Sequence, residues 1–295
     1  MNLNIDYILD LLKYEKLKTG LYIVSTPIGN LGDITLRCLK ILSCSDLIIC
    51  EDTRVSKKLT TKYSIKTPLK SFHKFNSRNS VPRIISQLKK GLSIALISDA
   101  GTPLISDPGI DLISQCVSEN INIFSIPGPS APVASLVLSN FASPSFSFRG
   151  FFPRENKAIK KELEILKKSN DPIIYFESPK RIIQTLEIIS TNKKNYETTF
   201  VRELTKKNEE VINTKISKLI DVLSKRKKIQ GEITFIIKPE HINLRKPTNK
   251  EILLASKDLK VNGLNISEIS KILSKDLNVS KREIYQLLIK KKKLI

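Results

Sequence analysis

Three kinds of segment in this 295-residue chain have residue types and spacings suited to chemistry. The first is a glycine-bearing turn, TPIGNLGD at 26–33, in which Asp33 follows Gly29 and Gly32. It is neither a G-x-G-x-x-G dinucleotide fingerprint nor a phosphate loop, since no Gly-Lys-Ser/Thr follows. Alone it reads as a strand-to-helix turn. The second is DAGTPLISDPG at 99–109, eleven residues with two Asp, two Gly and two Pro directly after an apolar run. Such a loop exposes backbone N–H and C=O groups at a sheet edge and suits a zwitterionic ligand with an amine and a carboxylate. PGPSA at 127–131 could form an adjacent wall. The third kind is a charged cluster, and there are three. Glu51, Asp52 and Arg54 form one; Glu177, Ser178, Pro179 and Arg181 another; Arg202, Glu203, Thr205, Lys206, Glu209 and Glu210 the last. Any one reads first as a surface ion-pair group. Together with the loops they point to one shared site.

The elements that must position these segments are apolar runs. LYIVS at 21–25, DLIIC at 46–50, IALIS at 94–98 and INIFSI at 121–126 read as strands, with a helical pattern over 34–43. Each run ends in one of the polar segments. Continuous β-branched runs alternating with helices predict buried parallel strands with crossover helices, and ligands then bind at the carboxyl edge of the sheet. A second unit begins near Pro127. Beyond the proline-containing stretch 141–155, strands are predicted at 172–176, 198–202 and 232–237, and helices at 157–168 and 179–190. A break from Pro239 to Pro247 introduces a tail that reads as helices only. Asn265-x-x-Glu268 and Ser280-x-x-Glu283 are spaced as capping boxes. The segment around Leu277–Val279 reads equally as a helix-turn-helix, opened by Lys281 and Arg282, or as a plain helical hairpin with a solvated lysine face.

Composition bounds the answer. Hydrophobic residues make up 40%, enough for a core in each of two domains and too many for a disordered chain. No apolar run is long enough to span a membrane. The N-terminus MNLNIDYILDLLKYEK carries Asp6, Asp10 and Glu15, which does not fit a secretory signal. The net charge is +21, and the last 55 residues contribute +8 of it. A polyanionic partner is the natural reading. The competing reading is compositional bias, since only 11 of the 50 basic residues are Arg. Cys38, Cys44, Cys50 and Cys116 form no C-x-x-C pair, and His73 and His241 lie far from them in sequence. Neither a zinc site nor a disulfide framework is expected, and the chain reads as cytoplasmic.

The segments LYIVSTPIGNLGDITLRCLKIL, EDTR, ISDAGTPLISDPG, IPGPSA, GFFPR, FESPKR, VRELTKKNEE and GEITFII occur in a characteristic order over about 20–240. In this the chain resembles the ribosomal RNA small subunit methyltransferase I family of the tetrapyrrole-methylase (class III) superfamily. The resemblance implies an α/β chain of two domains, 19–126 and 127–240, with an interdomain cleft. A 1–18 extension lies outside the pattern, and 241–295 forms a basic helical tail. It implies S-adenosylmethionine as donor, 2′-O-methylation of a cytidine in the decoding region of 16S ribosomal RNA, a homodimer and no metal. Asn208 and Lys180 stand where the family pattern is expected to have histidines, which weakens any mechanism requiring an imidazole there.

Carried onto this sequence, the donor would be held by Pro27, Asp99, Gly101, Thr102, Ile105, Ser130, Ala131, Glu177, Pro179, Leu204 and Gly231. Transfer from a sulfonium to oxygen is an in-line displacement that needs near-attack positioning and an acceptor for the hydroxyl proton. Glu51, Asp52, Lys206 and Glu210 are the candidates for that proton. Arg54, Arg154, Arg181 and Arg202, with Lys281 and Arg282 of the tail, are candidate RNA contacts. Two rival readings remain: a methyltransferase acting on a tetrapyrrole-type small molecule, and a nucleic-acid-binding protein without catalysis.

Overall fold

The computed structural model describes residues 16–191, 195–238, 248–261, 264–276 and 279–292. The 1–15 part of the predicted extension and the Pro239–Pro247 break lie outside the described residues.

The first half is a five-stranded sheet built from β1 (Gly20–Val24), β2 (Leu47–Cys50), β3 (Leu69–Ser71), β4 (Ser93–Ile97) and β5 (Ile123–Ile126). Its order is β3-β2-β4-β1-β5, and every pairing is parallel, as the continuous apolar runs predict. Helices α1 (Leu36–Cys44), α2 (Thr53–Lys62), α3 (Ser77–Lys89) and α4 (Ile110–Ser118) provide the crossovers. Alternate residues feed two cores. Leu21, Ile23, Ile49, Ile94 and Leu96 pack on one face, and Tyr22, Val24, Ile48, Ala95 and Ile97 on the other. All four cysteines are free and buried. Burial pushes the Cys38 thiol up to about 12 and the Cys116 thiol to about 11, so they behave as small apolar side chains.

The second half begins with α5 (Ala131–Val137). Its sheet uses β6 (Ser147–Phe151), β7 (Ile173–Glu177), β8 (Glu197–Arg202), β9 (Glu210–Lys215) and β10 (Ile233–Lys238) in the order β6-β7-β10-β8-β9. Here the parallel pattern does not carry over: only β6 and β7 pair in parallel, while β10 runs antiparallel to both β7 and β8. Helices α6 (Asn156–Lys168), α7 (Ile182–Ser190) and α8 (Ile216–Ser224) cover the face lined by Tyr175, Phe200, Phe235 and Ile237. Leu136 and Phe141 cover Ile174 and Ile236 on the other face. Within the larger core, the buried Glu162 accepts two hydrogen bonds from Arg149 and one from Tyr175, each 2.9 Å. The paired charge and the tyrosine fasten β6 to α6 and β7.

Residues 240–295 separate from the rest as a compact unit of their own. It contains α9 (Asn249–Val261), α10 (Ile266–Asp276) and α11 (Lys281–Lys292), packed around Ile252, Ile269, Leu273, Ile284 and Leu288. The Asn265/Glu268 box forms in full, and Ser280 makes its half of the second. Asn265 and Glu268 exchange reciprocal bonds of 2.9 and 3.0 Å, and Ser280 Oγ accepts from Glu283 N at 3.1 Å. Thr248 and Glu251 form a further reciprocal box.

The two halves of 16–238 meet along a close seam at two glycines. Gly29, just beyond β1, lies against the loop after β8. A Cβ at Gly29 would sit 2.5 Å from Lys206 Cγ, 2.7 Å from Thr205 Oγ1 and 2.8 Å from the Leu204 carbonyl oxygen. Asn30 N donates to Thr205 Oγ1 at 3.0 Å across the same seam. On the other side Gly150, at φ +68°, sits where a Cβ would approach Ser106 Oγ at 3.3 Å. The backbone obstacle at Leu204 cannot be relieved by a side-chain rotation. Gly29→Ala is therefore predicted to loosen the seam: hydrogen exchange at the Thr205 and Lys206 amides should accelerate by about tenfold or more, with the β4 amides unchanged. Unchanged exchange in the loop would refute the seam.

Candidate active site

A parallel sheet brings all its carboxyl ends to one edge. The segments after β1, β2, β4 and β5 therefore converge, although they are spread over about a hundred residues of chain. Backbone bonds join them. Thr26 N donates to Gly101 O at 2.8 Å, and Gly101 N donates back to Thr26 O at 3.1 Å. Thr102 Oγ1 donates to Pro129 O at 3.1 Å and shares a hydrogen bond of 3.0 Å with Ser25 Oγ. The 99–109 loop is strained where it turns: Leu104 and Ser106 hold φ of 72° and 73° without being glycine.

The second half supplies the opposing wall. Ile233 pairs with Glu177 on one side and Arg202 on the other, so the end of β7, the end of β8 and the start of β10 lie side by side. The loop after β8 is also strained, with Glu203 at φ 54° and Thr205 at φ 64°. It is held by Lys206, whose Nζ donates to Glu203 Oε1 at 2.9 Å and Glu232 Oε2 at 2.8 Å. Glu203 Oε1 also accepts from Glu232 N at 2.9 Å.

Between these walls is a cavity of about 320 Å³. Among the residues assigned to a donor by resemblance, Gly101, Thr102, Ile105, Ser130, Ala131, Glu177, Pro179, Leu204 and Gly231 line it. Pro27 and Asp99 do not. They line a neighbouring cavity of about 220 Å³ that adjoins the first at Ile28, Ala100 and Glu232. The Glu177 carboxylate is fully buried, accepting from Ser178 N and Thr185 Oγ1 at 2.7 Å each, so it anchors the wall and the start of α7.

The proton-acceptor candidates separate by environment. Asp52 caps α2 and is locked to Arg54, whose hydrogen bonds hold its carboxyl down at about 2. Glu210 is gripped by Arg226 and Arg202, which likewise hold it at about 2, and it lines neither of these two cavities. Burial opposes the charge of Lys206, but its bonds to Glu232 and Glu203 outweigh that and raise its pKa. A neutral Lys206 is thus disfavoured. Glu51 is raised, by burial first and then by the Asp99 charge; it lines neither cavity but a small hollow beside Phe72 and Pro108.

The arginines divide similarly. Arg181 is spent inside the second half on the carbonyls of Phe152 and Pro153. Arg202 pairs with Glu210 and Gln230 O. Arg54 points outward, with its side chain 88% exposed, and Arg154 is exposed. In the tail unit Lys281 and Arg282 are exposed at the start of α11, beside Ser267 and Tyr285.

Some site residues were not singled out from sequence. Asp107 lines the large cavity, and burial, together with the charges of Glu51 and Asp99, pushes its carboxyl up to about 6 against an opposing Ser98 hydroxyl. It lies in the same DAGTPLISDPG loop, eight residues after Asp99, so the signal was there. Phe151 also lines the cavity, edge-on to Phe176, while remaining 59% exposed. It belongs to a strand hidden in the 141–155 stretch. Among the described residues, no three His, Cys, Asp or Glu side chains converge as a metal site, and no helix is long and apolar enough to cross a membrane.

Comparison with known proteins agrees with this geometry. The family model described as Tetrapyrrole (Corrin/Porphyrin) Methylases matches residues 20–220. A Thermotoga maritima protein named ribosomal RNA small subunit methyltransferase I is 44% identical over 74% of this chain and 97% of its own. Proteins of the same name from Bacillus subtilis and Rickettsia prowazekii are each 39% identical, over 90% and 94% of this chain and 92% and 98% of theirs. In solved structures the fold is similar to a cobalt precorrin-4 methyltransferase of cobalamin biosynthesis, at 16% identity and TM-score 0.57 over 74% of this chain and 93% of the other. It is also similar to a Thermus thermophilus uroporphyrin-III C-methyltransferase complexed with S-adenosylhomocysteine, at 10% identity and TM-score 0.53 over 74% and 96%. With its two-sheet fold, its strand-end cavity and relatives matched over most of their length, the chain belongs to the ribosomal RNA small subunit methyltransferase I family of the tetrapyrrole methylases.

Proposed function

We propose that the chain is an S-adenosylmethionine-dependent methyltransferase that modifies the ribose 2′-oxygen of a cytidine in the decoding region of 16S ribosomal RNA. The observation that carries this reading is the cavity between the two halves, in a chain whose full-length relatives bear the name of ribosomal RNA methyltransferases. The residues fit such a donor. A volume of about 320 Å³ is at the small end of the range for ligand sites, roughly 300–1,000 Å³, and Ile28, Ile105, Leu204 and Ile233 give it apolar walls. Polar backbone from the 99–109 and 127–131 loops stands at one end, suited to an amino-acid moiety. When bound, the donor supplies a methyl group on a positively charged sulfur. The protein's part is to hold that group, exclude water and present the acceptor in line.

In this reading 19–126 and 127–240 are the domains that form the cleft, and 241–295 carries RNA contacts through Lys281 and Arg282. Arg54 and Arg154, both exposed, supply further phosphate contacts, while Arg181 and Arg202 maintain the wall. The protein works as a homodimer in the cytoplasm, on the small ribosomal subunit.

The direct test is transfer of labelled methyl from S-adenosylmethionine to small subunits isolated from cells lacking this protein. A single new site resistant to alkaline cleavage, at a cytidine, is expected, because a 2′-O-methyl removes the attacking hydroxyl. Label on a base, or no label in RNA while donor binding is intact, would contradict the reading and leave a small-molecule acceptor. A second expectation follows from Asp107. Its folded pKa of about 6 lies above the ordinary 3.8, so ionisation destabilises the fold as pH rises through that window. A cationic donor gains from the ionised form and loses that gain as pH falls through about 6. Calorimetric donor affinity should therefore rise about tenfold from roughly pH 5 to pH 7, and Asp107→Asn should flatten the dependence. An unaltered profile in that variant would remove Asp107 from the site.

A further inference from the structure

The smaller cavity beside the donor site has a composition of its own. It lies behind the Pro27–Gly29 turn and is walled by α2, with Lys58 and Val55, and by Asp99. It adjoins the large cavity at Ile28, Ala100 and Glu232. In-line displacement requires the acceptor oxygen and the leaving sulfur to stand on opposite sides of the methyl carbon. An acceptor must therefore come from a space that touches the donor cavity without being part of it. Among the described residues, this cavity of about 220 Å³ meets that condition.

We propose that the smaller cavity receives the acceptor ribose, with the Asp99 carboxylate on its 2′-hydroxyl and the Lys58 ammonium on a flanking phosphate. The inference rests on the rRNA 2′-O reading above and reassigns Asp99 from the donor to the acceptor. One Asp99 oxygen, Oδ1, accepts from Asp52 N at 3.1 Å, which fixes the side chain. Its other oxygen has no hydrogen-bond partner among the described residues. The rival bases are engaged elsewhere: Asp52 on Arg54, Glu210 on two arginines, and Lys206 as a protonated bridge, while Glu51 lines neither cavity.

The charged groups around Asp99 are Asp52 and Glu51 after β2, Asp107 in its own loop, Lys58 on α2, and Lys206 with Glu232 from the second half; the Cys50 thiol lies beneath. Partial burial and the Asp52 charge raise its pKa, which makes it a better proton acceptor than a fully solvated aspartate. In the step, the 2′-O–H bond breaks and its proton passes to the carboxylate. The oxygen forms the new bond to the methyl carbon as the carbon–sulfur bond breaks, with the electron pair remaining on a neutral thioether. Asp99 then releases the proton to water.

The test uses the full chain with isolated small subunits and S-adenosylmethionine, and S-adenosylhomocysteine as the binding probe. Asp99→Asn should lower the single-turnover rate by about 100-fold or more, abolish the acid limb of the pH–rate profile, and leave S-adenosylhomocysteine affinity within about twofold. Val55→Trp, which fills the smaller cavity from α2, should block transfer and weaken subunit binding with the same probe affinity. Lys58→Ala should raise KM for subunits and reduce the salt dependence of binding by about one charge. Transfer by Asp99→Asn within about threefold of the unsubstituted chain, or normal transfer by Val55→Trp, would overturn the proposal. So would loss of S-adenosylhomocysteine binding in Asp99→Asn, which would return Asp99 to the donor. If the unsubstituted chain binds the probe but labels no subunit RNA, the rRNA reading itself fails and takes this inference with it. Labelling with Asp99→Asn unimpaired would fault the inference alone.

Discussion

The close approach of Gly29 to the loop after β8 is the contact on which the site depends. A side chain at Gly29 would have no room, because the Lys206 and Thr205 side chains and the Leu204 carbonyl stand directly against the turn after β1. The residues that make it line both cavities, Leu204 the larger and Gly29 and Lys206 the smaller. The turns that make it are held in place from both directions. Thr26 and Gly101 join two strand-end loops of the first sheet, and the Lys206 bridge to Glu203 and Glu232 stiffens the facing loop. Positive φ at Leu104, Ser106, Glu203 and Thr205 is the conformational cost of this arrangement. Strain of this kind persists only where surrounding bonds over-determine the backbone.

Charge is sorted across the same edge. Glu51, Asp99 and Asp107 gather where β2 and β4 end, and burial first, then the charge of neighbouring carboxylates, Asp52 among them, raises all three. Carboxylates closer to arginines are driven the other way and become structural. Asp52 caps a helix and Glu210 pins two guanidiniums. One chemical group thus serves two ends, and the environment decides which. Many of the basic side chains are exposed, among them Arg54, Lys57, Lys58, Arg154, Lys281 and Arg282.

Much of the first half was legible because its signals are strong and local. Continuous β-branched runs ending in glycine- and proline-rich loops dictate parallel strands with their chemistry at one edge, and the chain does this. The tail was equally readable, since Asn265/Glu268 and Ser280/Glu283 announce helix starts through a fixed spacing. The region from Thr53 to Lys89 carried less. Strand β3 has three residues, α2 is mostly polar, and α3 holds Pro82 within it. Strands β6 and β9 were hidden for another reason: their residues are largely exposed or half-buried, so no apolar run marks them. The antiparallel second sheet followed from connections rather than from any strand's own residues. At the site, residue types within loops were readable, but which neighbour neutralises which was not. Arg226, which fixes Glu210, lies sixteen residues from it in sequence.

The account stands on the large cavity being the donor site and the small one being separate from it. A crystal structure of the full chain with S-adenosylhomocysteine tests this most directly. The account predicts density for the ligand between the 100–107 loop and the Glu177–Pro179 and Gly231–Thr234 segments, with the space beside Asp99 and Lys58 left to solvent. Ligand density in the Asp99–Lys58 cavity, or on the tail unit, would contradict it.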